Sequence, residues 1–353
     1  MSVATGTGLA SLTTLRVGGP ARRLVTAGTT GDLVEAVRAA DTAGERVLLV
    51  GGGSNLVVSD VGWDGTVILV RSAGVAREAA PGGAVRVRVA AGHDWDALVA
   101  EAVDDGLAGI EALSGIPGST GATPVQNVGA YGQDVAATVA AVRVWDRRAG
   151  REEVWSPGDC AFAYRDSRFK RAASAGPGDT DRYLVLEVAF DLVPDGLSQP
   201  VRYAELARRL GVAVGERAPL AEVRAAVLDL RRGKGMVLDP DDRDTWSVGS
   251  FFTNPVVPDA VAEAVPGDPP RWPAGDGLVK LPAAWLIERA GVGRGHGLPG
   301  PVAVSTKHTL ALTNRGGATA ADVVSLAREV RAAVEAAFGI VLEPEPRLVG
   351  LSL

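Results

Sequence analysis

The sequence predicts an α+β fold built from mixed sheets and more than one domain, and three observations lead there. A chain of 353 residues is long for a single hydrophobic core. Apolar period-two runs and period-3.6 runs both occur, but not in a regular strand–helix alternation, which argues against a wholly parallel sheet. Hydrophobic residues make up 46% and charged residues 22%, an ordinary globular balance.

The elements follow in order. Residues 32–43 carry apolar side chains at helical spacing (Leu33, Val34, Val37) and stop at Gly44. Residues 47–50 (VLLV) read as a short buried strand running into glycines. Strands are expected at 66–71 and 85–90, the second alternating cleanly. Residues 94–105 form a helix that Asp94 is placed to cap and Gly106 to stop. Residues 115–132 read as a long loop, 139–145 and 183–190 as strands of a second sheet, and 172–181 and 193–199 as surface loops. Further helices are expected at 220–232, 281–290 and 320–338, and strands at 309–314 and 347–353. The polar run 239–244 (DPDDRD) marks the start of a third region.

Composition excludes several functions. The net charge of -6 comes without a basic block, unlike a nucleic-acid binder. No apolar run reaches the ~18 residues of a membrane span, and the first residues lack the pattern of a secretion signal. One cysteine, Cys160, allows no internal disulfide, and His93, His296 and His308 lack metal-ligand spacing, so no metal is expected. The reading is a cytoplasmic, metal-free protein that binds neither nucleic acid nor membrane. Only four lysines occur (Lys170, Lys234, Lys280 and Lys307), and a lysine kept in an arginine-rich chain hints at a site that wants a compact ammonium.

Several segments suit chemistry. Gly51-Gly52-Gly53-Ser54-Asn55 follows the VLLV strand, and such glycines either make a tight turn or let backbone N–H groups approach a pyrophosphate. The stretch 114–132 interleaves glycine and proline with Ser, Thr, Gln and Asn, as a wall around a large polar ligand would, or as a structural loop would. Arg165, in YRDS, suits a bidentate grip on a carboxylate, or a surface ion pair. Ser250 stands between a glycine and two phenylalanines, and Glu343 and Glu345 lie on a stiff proline-rich segment. The one GxGxxG, at 295–300, follows a helical pattern and carries Pro299 where a helix should open, so it is not a dinucleotide fingerprint. No Ser-His-Asp arrangement stands out.

Eight segments in order resemble the UDP-N-acetylenolpyruvoylglucosamine reductase family: TTLRVGGPA (13–21), VLLVGGGSNLVVSD (47–60), GIEALSGIPGSTGATPVQNVGAYG (109–132), CAFAYRDSRFK (160–170), RRGKG (231–235), GSFFTNP (249–255), KLPAAWLIERAG (280–291) and LEPEPRLVG (342–350). The resemblance implies a two-subdomain FAD-binding fold of the vanillyl-alcohol oxidase type plus a C-terminal α/β substrate-binding domain. The implied boundaries are 1–71 and 72–233 for the FAD subdomains and 234–345 for the substrate domain, with a strand near 346–353 returning to the first. It implies noncovalent FAD, since neither glycine-rich loop holds a His or Cys, with NADPH as hydride donor. FAD would be held by Gly51, Gly52, Gly53, Ser54, Asn55, Ser114, Gly115, Pro117, Gly118, Ser119, Thr120, Gly121, Gln126, Asn127, Gly129, Ala130 and Tyr131.

By the same resemblance Ser250 is the proton donor, with Arg165 and Glu345 around the enolpyruvyl group of UDP-N-acetylglucosamine enolpyruvate. Lys234 matches a phosphate-reaching lysine and Tyr203 a tyrosine that closes on substrate phosphate in one subtype, while Tyr164, Asn254 and Arg294 are further substrate contacts. A monomer serving peptidoglycan precursor synthesis is expected. The 239–244 loop and the Trp246 lead-in depart from the family pattern, which bears on where the third domain begins. Two other functions fit the same residues less well: another flavin oxidoreductase of this fold, and a catalytically silent flavin- or UDP-sugar-binding protein.

Overall fold

Alternation decides the faces of the strands. In Val85–Ala90 the side chains of Val87 and Val89 enter a core. The intervening arginines face outward, where Arg86 pairs with Asp191 (2.8 Å) and Arg88 with Glu78 (3.0 Å). The computed structural model describes residues 1–174 and 181–353. Within it the chain forms two compact units, each assembled from three stretches: 1–7, 21–53 and 63–237, and 8–20, 54–62 and 238–353.

Among the described residues the first unit holds, besides the two-residue hairpin pairing of Gly129–Ala130 with Gln133–Asp134, two larger sheets. In one, Pro20–Ala27 and Val47–Val50 both run parallel to Trp63–Val70, and Ser2–Ala4 lies antiparallel on the outside. The helix Thr30–Thr42 makes the crossover. Thr29 and Asp32 cap each other's backbone at its start, and Leu33 and Val37 point into the core. Burying two such side chains stabilises by roughly 1.5–3 kcal/mol each. The other sheet is antiparallel, in the order Arg151–Trp155, Val139–Asp146, Tyr183–Pro194, Val85–Ala90, Val75–Ala79. Against it packs the helix Trp95–Asp104, capped by Asp94, whose Trp95 ring lies 5.7 Å from that of Phe190. The helices Ala204–Leu210 and Leu220–Gly233 share a smaller core of Leu206, Val223 and Val227.

One buried carboxylate organises the loops of this unit. Glu111 accepts from the backbone N–H of Gly109 (2.6 Å) and Gln199 (2.7 Å) and from the Gln133 amide (2.8 Å). A charge taken out of water is tolerable only with such full hydrogen bonding.

In the second unit, Arg347–Val349 runs parallel to Leu56–Val58, and Val302–Val304 forms a hairpin with Leu312–Asn314. The long helix Ala320–Phe338 starts with a reciprocal Thr319–Asp322 cap and ends at Gly339 with φ +67°. The Asp60 carboxylate accepts from the N–H groups of Ala320 (2.7 Å) and Ala321 (3.0 Å), placing a negative charge at that helix's positive end. Among the described residues no helix is long and apolar enough to cross a membrane.

Several expected boundaries are corrected. The loop at 172–181 begins inside a helix, Arg168–Ser174, and residues 175–180 lie outside the described residues. The strand expected to end at 190 continues to Pro194, because Leu107–Ala108 pairs with its last residues. The strand at 309–314 is only Leu312–Asn314, since the Leu310 carbonyl turns away to accept from Phe251 N–H. The strand at 347–353 ends at Val349, where Gly350 takes φ +67°.

Candidate active site

The glycine run and the 114–132 loop, both expected to hold FAD, meet in the first unit. A Cβ on Gly51 would stand 2.2 Å from the Ser119 hydroxyl, and one on Gly52 would stand 2.5 Å from the Gly118 Cα. Only residues without side chains at 51 and 52 allow this approach. The loop is ordered by bonds to the helix that starts at Trp95. Trp95 N–H donates to Gly118 O (3.1 Å), and Thr120 N–H to His93 O (2.8 Å). Ser114 donates to Glu111 O (2.7 Å), and Gly121 N–H to Ala91 O (2.8 Å). Pro117 lies half-buried in the same stretch.

Asp96 is the anchor that sequence reading missed. Its carboxylate accepts from Gly115 N–H (2.6 Å) and from both ends of the Arg224 guanidinium (2.6 and 2.9 Å). Burial pushes its acidity the other way, but the bonds from Arg224 and Gly115 win and hold it below the usual aspartate value. A depressed folded-state pKa gives stability that is present above the ordinary carboxylate range and lost as pH falls through the folded value. Asp96→Asn is therefore expected to cost about 2 kcal/mol at neutral pH. In urea melts the difference from the unaltered chain should stay constant down to the ordinary aspartate value of about 4 and close only as the pH falls further, through the lowered folded value.

Further along the loop the chain turns back on itself. Asn127 takes a left-handed conformation at the end of the short helix Thr123–Gln126 and donates to Ala163 O (2.9 Å). Gly129 O accepts from the Arg165 guanidinium (2.8 Å), and Gly129 and Ala130 pair with Asp134 and Gln133 around Tyr131, which has φ +50°. Arg165 sits in a tight Ala163–Asp166 turn, also at positive φ, with Tyr164 exposed beside it. Lys170 donates to Arg165 O (3.1 Å) and lies 3.4 Å from the Gln126 amide oxygen. So Arg165, Gln126, Asn127, Gly129 and Tyr131, called from separate segments, stand together.

Tyr131 also joins the phosphate candidates. Its ring meets that of Tyr203 edge-on at 5.4 Å, and the Lys234 ammonium lies 5.7 Å from its centre. Arg231, one turn before Lys234, was quoted in the RRGKG segment but given no role. Its Nε is buried without a hydrogen-bond partner, and burial lowers its pKa to about 10. The orphaned atom is the signal that sequence could not carry.

In the second unit Ser250 follows Gly249, at φ +75°, and precedes the buried Phe251 and Phe252. The segment lies against 343–345: Glu345 N–H donates to Phe251 O (2.9 Å) and Thr253 N–H to Glu343 O (3.0 Å). Ser250 and Glu345 are both half-buried. Ser54 and Asn55, expected with the glycines, belong to this unit. Asn55 lies beside Glu345, its amide 3.4 Å from the Glu345 carbonyl, and its own carbonyl accepts from Arg347 (2.9 Å). Asn254 caps the helix Ala283–Arg289 by accepting from Ala283 N–H (2.9 Å), while Arg294 is exposed in a turn.

Two family models match the chain. An FAD binding domain covers residues 21–154, and the C-terminal domain of UDP-N-acetylenolpyruvoylglucosamine reductase covers 239–349. A UDP-N-acetylenolpyruvoylglucosamine reductase of Thermobifida fusca is 55% identical over 98% of this chain and 97% of its own length. The chain belongs to the UDP-N-acetylenolpyruvoylglucosamine reductase family. The relative of that name from Salinispora arenicola is 56% identical, over 98% of this chain and 95% of its own. The crystal structure of UDP-N-acetylenolpyruvylglucosamine reductase from Thermus caldophilus is similar at 26% identity with a TM-score of 0.62, covering 98% of both chains. As expected, the fold is the α+β FAD-binding fold followed by the reductase family's own C-terminal domain.

The residues fit FAD. No side chain could stand at Gly51 or Gly52, which lets the two backbones meet as a cradle, and the Arg231 Nε and the Asn127 Oδ1 are buried with no hydrogen-bond partner, one a donor and one an acceptor. Burial pushes the Cys160 thiol up to about 12, which leaves it unreactive. Among the described residues no group of three His, Cys, Asp or Glu is placed to hold a metal ion.

Proposed function

We propose that the chain catalyses the NADPH-dependent, FAD-mediated reduction of the enolpyruvyl group of UDP-N-acetylglucosamine enolpyruvate to UDP-N-acetylmuramate. It thereby serves peptidoglycan precursor synthesis, and through it cell shape and division, as a cytoplasmic monomer. The match to reductase relatives along nearly the whole chain carries the reading.

Bound FAD, recharged by NADPH, supplies the hydride. The chain's residues handle the charge and the proton. Hydride addition to the terminal carbon leaves electron density on the carbon next to the substrate carboxylate. Arg165 binds and neutralises that carboxylate, and Glu345, as a protonated acid, shares the charge. The Ser250 hydroxyl then gives its proton to the carbon. Serine is a weak acid, so this works only toward a strongly basic carbon held close by. The backbone bond between Glu345 and Phe251 supports the pairing of the Glu345 and Ser250 roles. Lys234 and Tyr203 bind the diphosphate, with Tyr164, Asn254 and Arg294 as further substrate contacts. The subdomain boundaries near 71 and 233 belong to the same reading, and the break between Val237 and Leu238 supports the second.

The test is anaerobic. Purified yellow protein is bleached with one equivalent of NADPH, and UDP-N-acetylglucosamine enolpyruvate is then added. Rapid return of the visible spectrum is expected. A spectrum that stays bleached points to another flavin oxidoreductase of this fold, and protein that takes up no FAD overturns the reading.

A further inference from the structure

Lys234 is already occupied. Its ammonium lies 2.6 Å from the Glu205 carboxylate, and the two side chains remain 32% and 36% exposed. Glu205 stands in the first turn of the helix Ala204–Leu210, whose N-cap is Tyr203, so one short element brings both Tyr203 and Glu205 to the same place. The Tyr131 ring completes the group, edge-on to Tyr203 and beneath the lysine. Burial alone would lower the lysine's pKa, but the Glu205 bond and the neighbouring tyrosines raise it, so it is cationic at neutral pH. Its place at the C-terminal end of the helix Leu220–Gly233 favours the same charge.

We propose that Glu205 is an internal counterion which an incoming phosphate group must displace from Lys234, and that it thereby sets the affinity of the site for its phosphorylated ligand. The inference rests on the reading of Lys234 as a phosphate-binding residue. Two features point to an exchangeable pair and not a structural one. Both side chains are reachable by solvent, and a pair so exposed is worth only about 0.2–1 kcal/mol. A phosphate oxygen can take over the ammonium at small cost, but the released carboxylate then faces an anion. The glutamate therefore holds the lysine in place between turnovers and opposes the ligand during them.

The experiment uses the full chain loaded with FAD and UDP as the probe, read by titration calorimetry at low salt. Glu205→Gln should tighten UDP binding about 2- to 5-fold. Lys234→Ala should weaken it. In the Lys234→Ala background Glu205→Gln should tighten UDP by a smaller factor, because no ammonium is left to compete for and only the carboxylate's direct repulsion of the anion remains. In turnover, Glu205→Gln should lower KM for the enolpyruvyl substrate without raising kcat. If Lys234→Ala weakens UDP while Glu205→Gln leaves it unchanged or weakens it, the counterion role is overturned and Lys234 keeps its own. If Lys234→Ala has no effect on UDP, the phosphate reading of Lys234 fails first, and the counterion role fails with it.

Discussion

Ser250→Ala takes up FAD and is bleached by NADPH at the rate of the unaltered chain, yet reoxidation by the enolpyruvyl substrate slows about 10²- to 10⁴-fold, the range general acids contribute. The fold has little reason to respond. The backbone after Ser250 is pinned on both sides, Phe251 N–H to Leu310 O (2.7 Å) and Phe251 O to Glu345 N–H (2.9 Å). Both phenylalanines remain buried whatever the side chain at 250. Removing a hydroxyl therefore subtracts a proton source and leaves its surroundings. Stopped-flow absorbance of the two half-reactions separates the outcomes. Equal slowing of both would mean that Ser250 supports the cofactor site instead of donating a proton.

The second large effect is expected at Gly52. Its virtual Cβ lies 2.5 Å from the Gly118 Cα and 3.1 and 3.2 Å from the neighbouring backbone atoms, none of which can rotate away. Gly52→Ala must part the two segments. Overpacking of this kind costs about 1–3 kcal/mol, on the order of 10- to 100-fold in FAD affinity if the cradle is what holds the cofactor. The variant should elute colourless from gel filtration. Gly51→Ala is the informative contrast, because its neighbour is the Ser119 hydroxyl, a group that a second change, Ser119→Ala, removes. The double variant should recover much of the yellow colour. A Gly52→Ala protein that holds FAD as firmly as the unaltered chain would show that the cofactor lies elsewhere.

The legible parts of this molecule were those with local causes. Ala320–Phe338 and Val85–Ala90 could be bounded to the residue, because period, caps and stop signals agree there. Pro20–Ala27 was missed: two arginines in PARRLVTA break its alternation, and its pairing with Trp63–Val70 is set by a partner far along the chain. The short helix Ala204–Leu210 was missed for a similar reason, since seven residues give a weak period. At the site, Gln126, Asn127, Gly129 and Arg165 could be chosen by motif, but not their meeting. Asn55 reads as part of the glycine loop, and its contact with the Glu345 carbonyl, 290 residues on, could not be read from sequence. Asp96, Glu205 and Arg231 look like ordinary helix-surface charges in one dimension. Only a partner at close range, or the lack of one, sets them apart.

The interleaving of the chain between its two units bears on how the protein can be made and divided. Residues 8–20 and 54–62 emerge early in synthesis, but the strand they support is completed only by Arg347–Val349. Leu56–Val58 must wait, unpaired on that edge, until residues 347–349 have been made. A nascent chain stalled at residue 237 would carry both early stretches without the body they pack into, including Leu15, Val17 and Val57, which are buried in the finished molecule. Such intermediates expose sticky edges and invite chaperones. Cutting the gene at the obvious boundary should likewise yield two aggregating halves, whereas a circular permutation that joins the ends and opens an exposed loop keeps every strand's partner in one chain.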